Sequence, residues 1–418
     1  MNRIHLIRQI IICFTFSVFF SVAFADKGIF NPKVTPDEFF TNESGLVTIS
    51  AEIGAENLHL SSVTAYKTNA DGKPISRLGQ MYDDGTHGDE READTIFTTQ
   101  FSVNEVSEGK IYVRVSAAYQ RDRGRYLSPI MEVDFMDHIP EGLVESMNSE
   151  LAGIKSNFVS NIATKGLDGA RNTALQEALN NPNIEEAGLD GAHLSIIYKD
   201  GIRGFIVLED PNNPIDGAGN SFPSVLPENY KSPGNDKLLI FAPGYGDASP
   251  QNKIADHAKN RFDSSEFMQF SPNPASITKD TSATLEAVKN WGNYGTVIIH
   301  THGGLWGTSF FGLFGGEVVL SSGTLVTTSS KTTYEKDIKK KRIGIAGGKF
   351  IFYPSFITKH AVSMKNTFFY LGACHSLDNN TMWNALKAKG AKVGFGWDES
   401  VCRSFNTSKF KSVRSLNV

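Results

Sequence analysis

The sequence predicts a multidomain chain with an N-terminal all-β sandwich, a helical and hairpin connector, and a C-terminal α/β domain with a mainly parallel sheet. Three observations lead there. Between Gly45 and Phe135 apolar residues alternate with polar ones, as in Val47, Ile49, Ala51 and Ile53, in Ile111, Val113, Val115, Ala117 and Tyr119, and in Met131, Val133 and Phe135. That is the period of half-buried strands. Between about Gly142 and Glu186 the period turns helical, through Leu151, Ile154, Phe158 and Ile162. From Lys237 onward short continuous apolar runs alternate with helical stretches, the rhythm of parallel strands covered by helices.

Composition narrows the class. A chain of 418 residues has room for two or three domains. Its 40% hydrophobic and 11% aromatic content excludes wholesale disorder. The net charge of −4 gives no global electrostatic case for nucleic acid. Residues 1–25 read as a secretory signal: Arg3 and Arg8 precede the apolar run Ile10 to Val22, and Ala23-Phe24-Ala25 matches the small-x-small cleavage rule. Cleavage after Ala25 removes two basic and no acidic residues and moves the balance to −6. The expected product is exported, whether secreted, periplasmic or at the cell surface, and any cell-envelope attachment is not visible. Two of the three cysteines then remain, Cys374 and Cys402, and an oxidising compartment would favour their pairing.

The expected boundaries are 1–25 for the signal, 26–136 for the sandwich, 137–235 for the connector and 236–418 for the α/β domain. About 90 residues of strands and turns such as Asp71-Gly72 predict a sandwich of immunoglobulin-like type. Within it, Asp83, Asp84, Asp89, Glu90, Glu92 and Asp94 crowd one turn. Asp83, Asp84, Asp89 and Asp94 offer hard oxygen ligands suited to calcium, although the EF-hand spacing fails. The alternative is a solvated turn closed by Asx hydrogen bonds. The phrase resembles a turn that recurs in Ig-like domains of bacterial surface proteins. In the connector, a helix ends near Asn180-Asn181-Pro182, and Asp200-Gly201 sits between two apolar runs as a hairpin turn. A Pro-, Gly- and Asn-rich stretch from Pro211 to Asp236 reads as a linker.

In the third region the expected strands are Leu238–Pro243, a weak one at Phe267–Phe270, one ending at Thr301, one ending at Cys374, and Lys392–Trp397. Ile254, Ala255 and Ala258, then Ala283, Leu285, Val288 and Trp291, then Met382, Ala385 and Leu386 keep helical spacing between them. Sites in such sheets lie beyond the carboxyl ends of the strands. Two of those ends carry reactive groups, His302 before Gly303-Gly304 and Cys374 before a helix. A thiol attacks only as thiolate, and a helix N-terminus or a neighbouring imidazole lowers its pKa. The N–H groups of Cys374 and Gly303 could together receive an oxyanion. A lone His is more often structural and a lone Cys a small buried hydrophobe; the pair on consecutive major strands is the sharper signal.

At Thr301-His302-Gly303 and Gly372-Ala373-Cys374 the segment from about Asp236 to Val418 resembles the caspase-hemoglobinase fold, the clan CD cysteine peptidases that include gingipains, clostripain, legumain and caspases. The resemblance implies a C-terminal caspase-like domain. It implies a Cys374/His302 dyad that hydrolyses peptide bonds of a protein or peptide substrate through an acyl-enzyme, with no cofactor required; the candidate structural calcium rests on the acidic turn alone. It places His300 in a structural or substrate-side role. It sets Gly372 in the pocket for the side chain preceding the scissile bond. Asp398, just past the last strand, is placed to select a basic side chain there, the alternative being a solvated loop carboxylate. Three departures stand out. The gap of 72 positions between His302 and Cys374 is long and holds the basic run Lys339-Lys340-Lys341-Arg342, read as a solvated face or a cleavage site. Gly372 carries no charge. The chain stops soon after Trp397. Neither a nucleophile elbow nor a His-Glu-x-x-His motif occurs. The rival reading is a non-catalytic surface adhesin or binding module that retains the fold.

Overall fold

The computed structural model describes residues 27–210, 233–244, 246, 253–262, 275–307, 316–401 and 406–409. The chain forms two compact units that divide between His138 and Ile139. Among the described residues no helix is long and apolar enough to cross a membrane. The expected leader, residues 211–232 of the expected linker, the strand expected at Phe267–Phe270 and Cys402 lie outside the described residues.

The first unit is all-β. Its strands are β1 (Ile29–Thr35), β2 (Glu38–Phe40), β3 (Gly45–Ile53), β4 (Thr64–Thr68), β5 (Pro74–Gln80), β6 (Ile96–Val103), β7 (Gly109–Ala118), β8 (Arg125–Leu127) and β9 (Met131–Met136). One sheet runs β1-β3-β6 and the other β2-β9-β7-β4-β5, with β8 paired to β7. The alternation read from sequence decides which face is buried. Val47, Ile49, Ala51 and Ile53 of β3 share one core with Val113, Val115 and Ala117 of β7 and Val133 and Phe135 of β9. The two sheets therefore close on each other.

The second unit begins with α1 (Leu143–Asn180), which Gly166 breaks with a left-handed φ of 69°. Then come β10 (Ile184–Asp190), β11 (His193–Tyr198) and β12 (Arg203–Val207), followed by β13 (Leu238–Ala242), α2 (Ile254–Phe262), β14 (Ala275–Lys279), α3 (Leu285–Lys289) and β15 (Thr296–His300). An excursion follows through β16 (Gly303–Trp306), β17 (Glu317–Leu325), α4 (Thr328–Lys339), β18 (Ile343–Ala346) and β19 (Lys349–Phe352). The chain returns by α5 (Pro354–His360) to β20 (Phe368–Gly372), α6 (Thr381–Ala388) and β21 (Val393–Phe395).

Two sheets organise this unit. The five-stranded sheet has the order β14-β13-β15-β20-β21, and each neighbouring pair is parallel. Its strands are apolar at successive positions because both faces are covered. Leu238, Ile240 and Ile298 pack with Ile254, Ala255 and Ala258 of α2 on one face. Leu239, Phe241, Val297, Ile299, Phe369 and Leu371 pack with Leu285, Phe356, Met382 and Leu386 on the other. The first crossover ends in β14, the segment Ala-Ser-Ile-Thr-Lys; its polar alternation suits an edge position, which hid it from a search for apolar runs.

The second sheet, β10-β11-β12-β18-β19-β17-β16, is mostly antiparallel with one parallel pair, β12 with β18. It coils so that its last strand returns toward β11 and β12. The Gly307 N–H donates to Ser195 Oγ at 3.2 Å and Trp306 Nε1–H to the Gly204 carbonyl at 3.3 Å. Arg203 fixes the coil: its guanidinium lies over the rings of Trp306 and Tyr353 and bonds Glu317 at 2.6 Å.

Two sequence expectations change here. Residues 137–235 do not stand apart as a connector; from Ile139 onward their described part belongs to the second unit, and the Asp200-Gly201 hairpin supplies three strands' worth of sheet with β10. The basic run is not one solvated face. Lys341 is exposed, while Arg342 is buried and ion-paired to the equally buried Asp337, which also meets His360 Nε2 at 2.6 Å.

Trp291 joins the layers. It is fully buried, with ring centroids 5.4 Å from Phe241, 5.8 Å from Phe352 and 5.8 Å from Phe369. Trp291→Ala should cost about 3–5 kcal/mol, read as a lower urea midpoint for the second unit with no change in the first.

Candidate functional site

The site begins with strand register. In the parallel pair β15 and β20, His300 stands opposite Gly372. His302 and Cys374 each lie two residues farther on, so both leave the sheet at the same carboxyl edge from neighbouring strands. The chains stay close beyond the sheet. The Thr301 N–H reaches the Gly372 carbonyl at 3.4 Å. A Cβ at Gly303 would collide with the Cys374 carbonyl oxygen. Glycine is needed at 303 because backbone meets backbone there.

His302 is exposed and Cys374 half-buried. The His302 carbonyl accepts from the Ser321 N–H at 2.9 Å. Gly303 and Leu320 are therefore a non-hydrogen-bonded pair of the antiparallel ladder, which leaves the Gly303 N–H directed away from β17. His300 is buried at the strand end. Gly372 is buried in the sheet, where a Cβ would stand 2.6 Å from the Ile299 carbonyl; close strand packing already accounts for this glycine.

The loop after Cys374 is stitched to the segment after β21. His375 N–H donates to the Glu399 carbonyl at 3.0 Å and Leu377 N–H to the Trp397 carbonyl at 2.9 Å. Ser376 Oγ accepts from the Trp397 N–H at 3.1 Å and donates to the Leu371 carbonyl at 2.9 Å. The Val401 N–H points at Cys374 Sγ at 3.4 Å, and Sγ faces the Val401 carbonyl at 3.6 Å. The N–H favours thiolate, and the carbonyl accepts the proton of the neutral thiol. Asp398 lies within this stitched segment. It is half-buried, and its Oδ1 is enclosed with no hydrogen-bond partner among the described residues.

Two histidines that sequence reasoning missed stand beside the thiol's loop. His375 is adjacent to Cys374 in the chain, which was a usable signal. His193 comes from β11, and only the coiling of the second sheet brings it here. Its ring lies edge-on to His375 at 5.0 Å between centroids, tilts against Phe205, and approaches Gly304. Burial, and then His375 and Arg171, push the His193 pKa down to about 3, so it is neutral near pH 7.

In the first unit the acidic turn gathers Asp83, Asp89 and Asp94, which offer ligand atoms within 4.8 Å of one another. Asp84 is not in that group; its Oδ1 accepts from Thr86 N–H and Oγ1. The Asp83 carboxylate accepts the N–H groups of Asp94 and Thr95 at 3.1 and 3.0 Å, so the turn is closed by its own backbone.

No protein-family model matches the chain, and no curated protein matches it. Among solved structures it is similar to the CARDB domain of PF1109 from Pyrococcus furiosus, at 13% identity over 26% of this chain and 97% of that one, with a TM-score of 0.17. It is also similar to the Pseudomonas fluorescens alkylpurine DNA glycosylase AlkC bound to DNA containing an abasic site analog, at 13% identity over 26% of this chain and 30% of that one, with a TM-score of 0.17. Likenesses this slight bear on neither fold nor activity.

The depressed His193 pKa makes a stability statement. The unfolded imidazole takes a proton as pH falls through about 6.5, while the folded one resists until about 3. Stability from this residue is present above pH 6.5 and is lost progressively as pH falls below it. The melting temperature of His193→Gln should fall less steeply between pH 6.5 and 4 than that of the parent chain; parallel slopes would contradict the assignment.

Proposed function

We propose that this chain is an exported cysteine endopeptidase with a caspase-like catalytic domain behind an Ig-like domain. The observation that carries the proposal is the shared register of His302 and Cys374 at the carboxyl edge of a parallel sheet. In this reading His302 takes the Cys374 proton, and the thiolate attacks the substrate carbonyl carbon. The oxyanion that forms is received by the Gly303 and Cys374 N–H groups. The imidazolium then gives its proton to the departing amine, and water, deprotonated by the same imidazole, hydrolyses the thioester. The Val401 N–H supports the reading, since it favours the thiolate. The enclosed Asp398 Oδ1, without a hydrogen-bond partner among the described residues, supports selection of a basic side chain before the scissile bond, because an arriving cation would supply the missing donor.

The test is a peptide-library cleavage assay on the full chain. Cys374→Ala should abolish turnover, His302→Ala should cost nearly as much, and the double variant little more, because members of one catalytic unit are not additive. Asp398→Asn should relax a preference for Arg or Lys. Full activity in Cys374→Ala would refute the peptidase reading and leave that of a binding module.

In the first unit, Asp83, Asp89 and Asp94 form the proposed calcium site, supported by three convergent carboxylates in a loop already closed. Millimolar calcium should raise the melting temperature of this unit by mass action, and Asp89→Asn should remove the rise. An unchanged melting temperature in calcium would dismiss the site.

A further inference from the structure

Resting on the reading of Cys374 as nucleophile, we propose that His375 is a positioning residue that holds the Val401 N–H against the Cys374 sulfur through Ser400. His375 is a non-glycine residue in the left-handed region, with φ 54°. That conformation costs about 1 kcal/mol or more and persists only where the surroundings over-determine it. Three contacts do so. Its N–H donates to the Glu399 carbonyl at 3.0 Å. Its Nδ1 meets Asp378 Oδ2 at 2.9 Å, and its Nε2 meets Ser400 Oγ at 3.1 Å.

The chemistry fixes the direction of these bonds. A carboxylate only accepts, so Nδ1 carries the proton toward Asp378. In the neutral ring Nε2 then accepts from the Ser400 hydroxyl. The half-buried imidazole thus bridges the nucleophile's turn and the segment following β21. His193 forms a buried, neutral wall behind it. Ser400 is bonded through its carbonyl carbon to the Val401 nitrogen, whose N–H lies 3.4 Å from Sγ. Fixing Ser400 therefore fixes one donor to the thiolate. Turning that peptide would leave the Val401 carbonyl, 3.6 Å from sulfur, to favour the protonated thiol instead. The histidine acts on reactivity without touching a reacting atom.

The experiment is the pH dependence of iodoacetamide alkylation at Cys374, with the modified residue assigned by peptide mapping and folding checked by melting temperature. In the parent chain the apparent thiol pKa should lie below the ordinary value of about 8.5. His375→Ala and Ser400→Ala should each raise it by about one unit, an approximately tenfold loss of thiolate below the pKa. Two conservative variants separate positioning from turn structure. His375→Gln carries its amide group near the Nε2 position, where its carbonyl oxygen can accept from the Ser400 hydroxyl, so it should restore most of the parent profile. His375→Asn tolerates left-handed backbone better but reaches only the Nδ1 position, so it should behave like alanine. A role in the turn alone would give the opposite order and overturn the proposal, as would an unchanged profile in Ser400→Ala. A parent profile at about 8.5 would overturn both this proposal and the nucleophile reading. A low parent value with His375→Ala unchanged would overturn this proposal only.

Discussion

The close passage of Gly303 against the carbonyl of Cys374 is the constraint on which the site depends. It exists because β15 and β20 are neighbouring parallel strands in register, with His300 opposite Gly372. Three residues past His300 and two past Gly372, both chains must still run side by side, and only a residue without Cβ allows it. From that point they diverge. One enters β16 and the coiled antiparallel sheet, and the other turns into the loop before α6. The candidate nucleophile and base sit at that fork. The buried aromatic residues beneath it, with Trp291 between Phe241, Phe352 and Phe369, hold the two sheets at a fixed separation.

The second sheet bears on the site in a way its sequence position hides. Its strands come from both sides of the parallel sheet's chain segment, β10 to β12 before β13 and β16 to β19 after β15. Arg203, stacked on Trp306 and Tyr353 and bonded to Glu317, couples the early hairpin to the later strands. Coiling carries His193 to the edge of His375. The excursion between His302 and Cys374 starts against the Cys374 carbonyl at Gly303, and its Trp306, Val319 and Tyr353 share a core with Phe205 of the early hairpin.

Much of the fold was legible in sequence because the dominant force is apolar burial with a fixed period. The strands ending at His300 and Gly372 are continuous apolar runs, and β3, β7 and β9 alternate cleanly. The first crossover was not legible, since β14 is an edge strand with little apolar content. The domain boundary shifted because a helix with a modest apolar face and a hairpin look alike whether they form a connector or part of a larger sheet. Arg342 looked solvated within a run of four basic residues, yet its partner Asp337 lies on the preceding helix and is buried with it. At the site, His302 and Cys374 were visible as strand-end residues. The clamp of His375, Asp378 and Ser400 was not, because it arises from two loops that meet only after the sheet has formed.

The central claim is that His302 and Cys374 form one reactive unit at the sheet edge. It is tested most directly by labelling the full chain, without reductant, with a peptidyl acyloxymethyl ketone carrying a basic residue next to the reactive group. The modified residue is then located by peptide mapping in the parent chain and in His302→Ala. The account predicts a thioether on Cys374 that forms rapidly in the parent chain and at least about a hundredfold more slowly without the imidazole. No adduct until reductant is added, or equal rates in the two proteins, would contradict it.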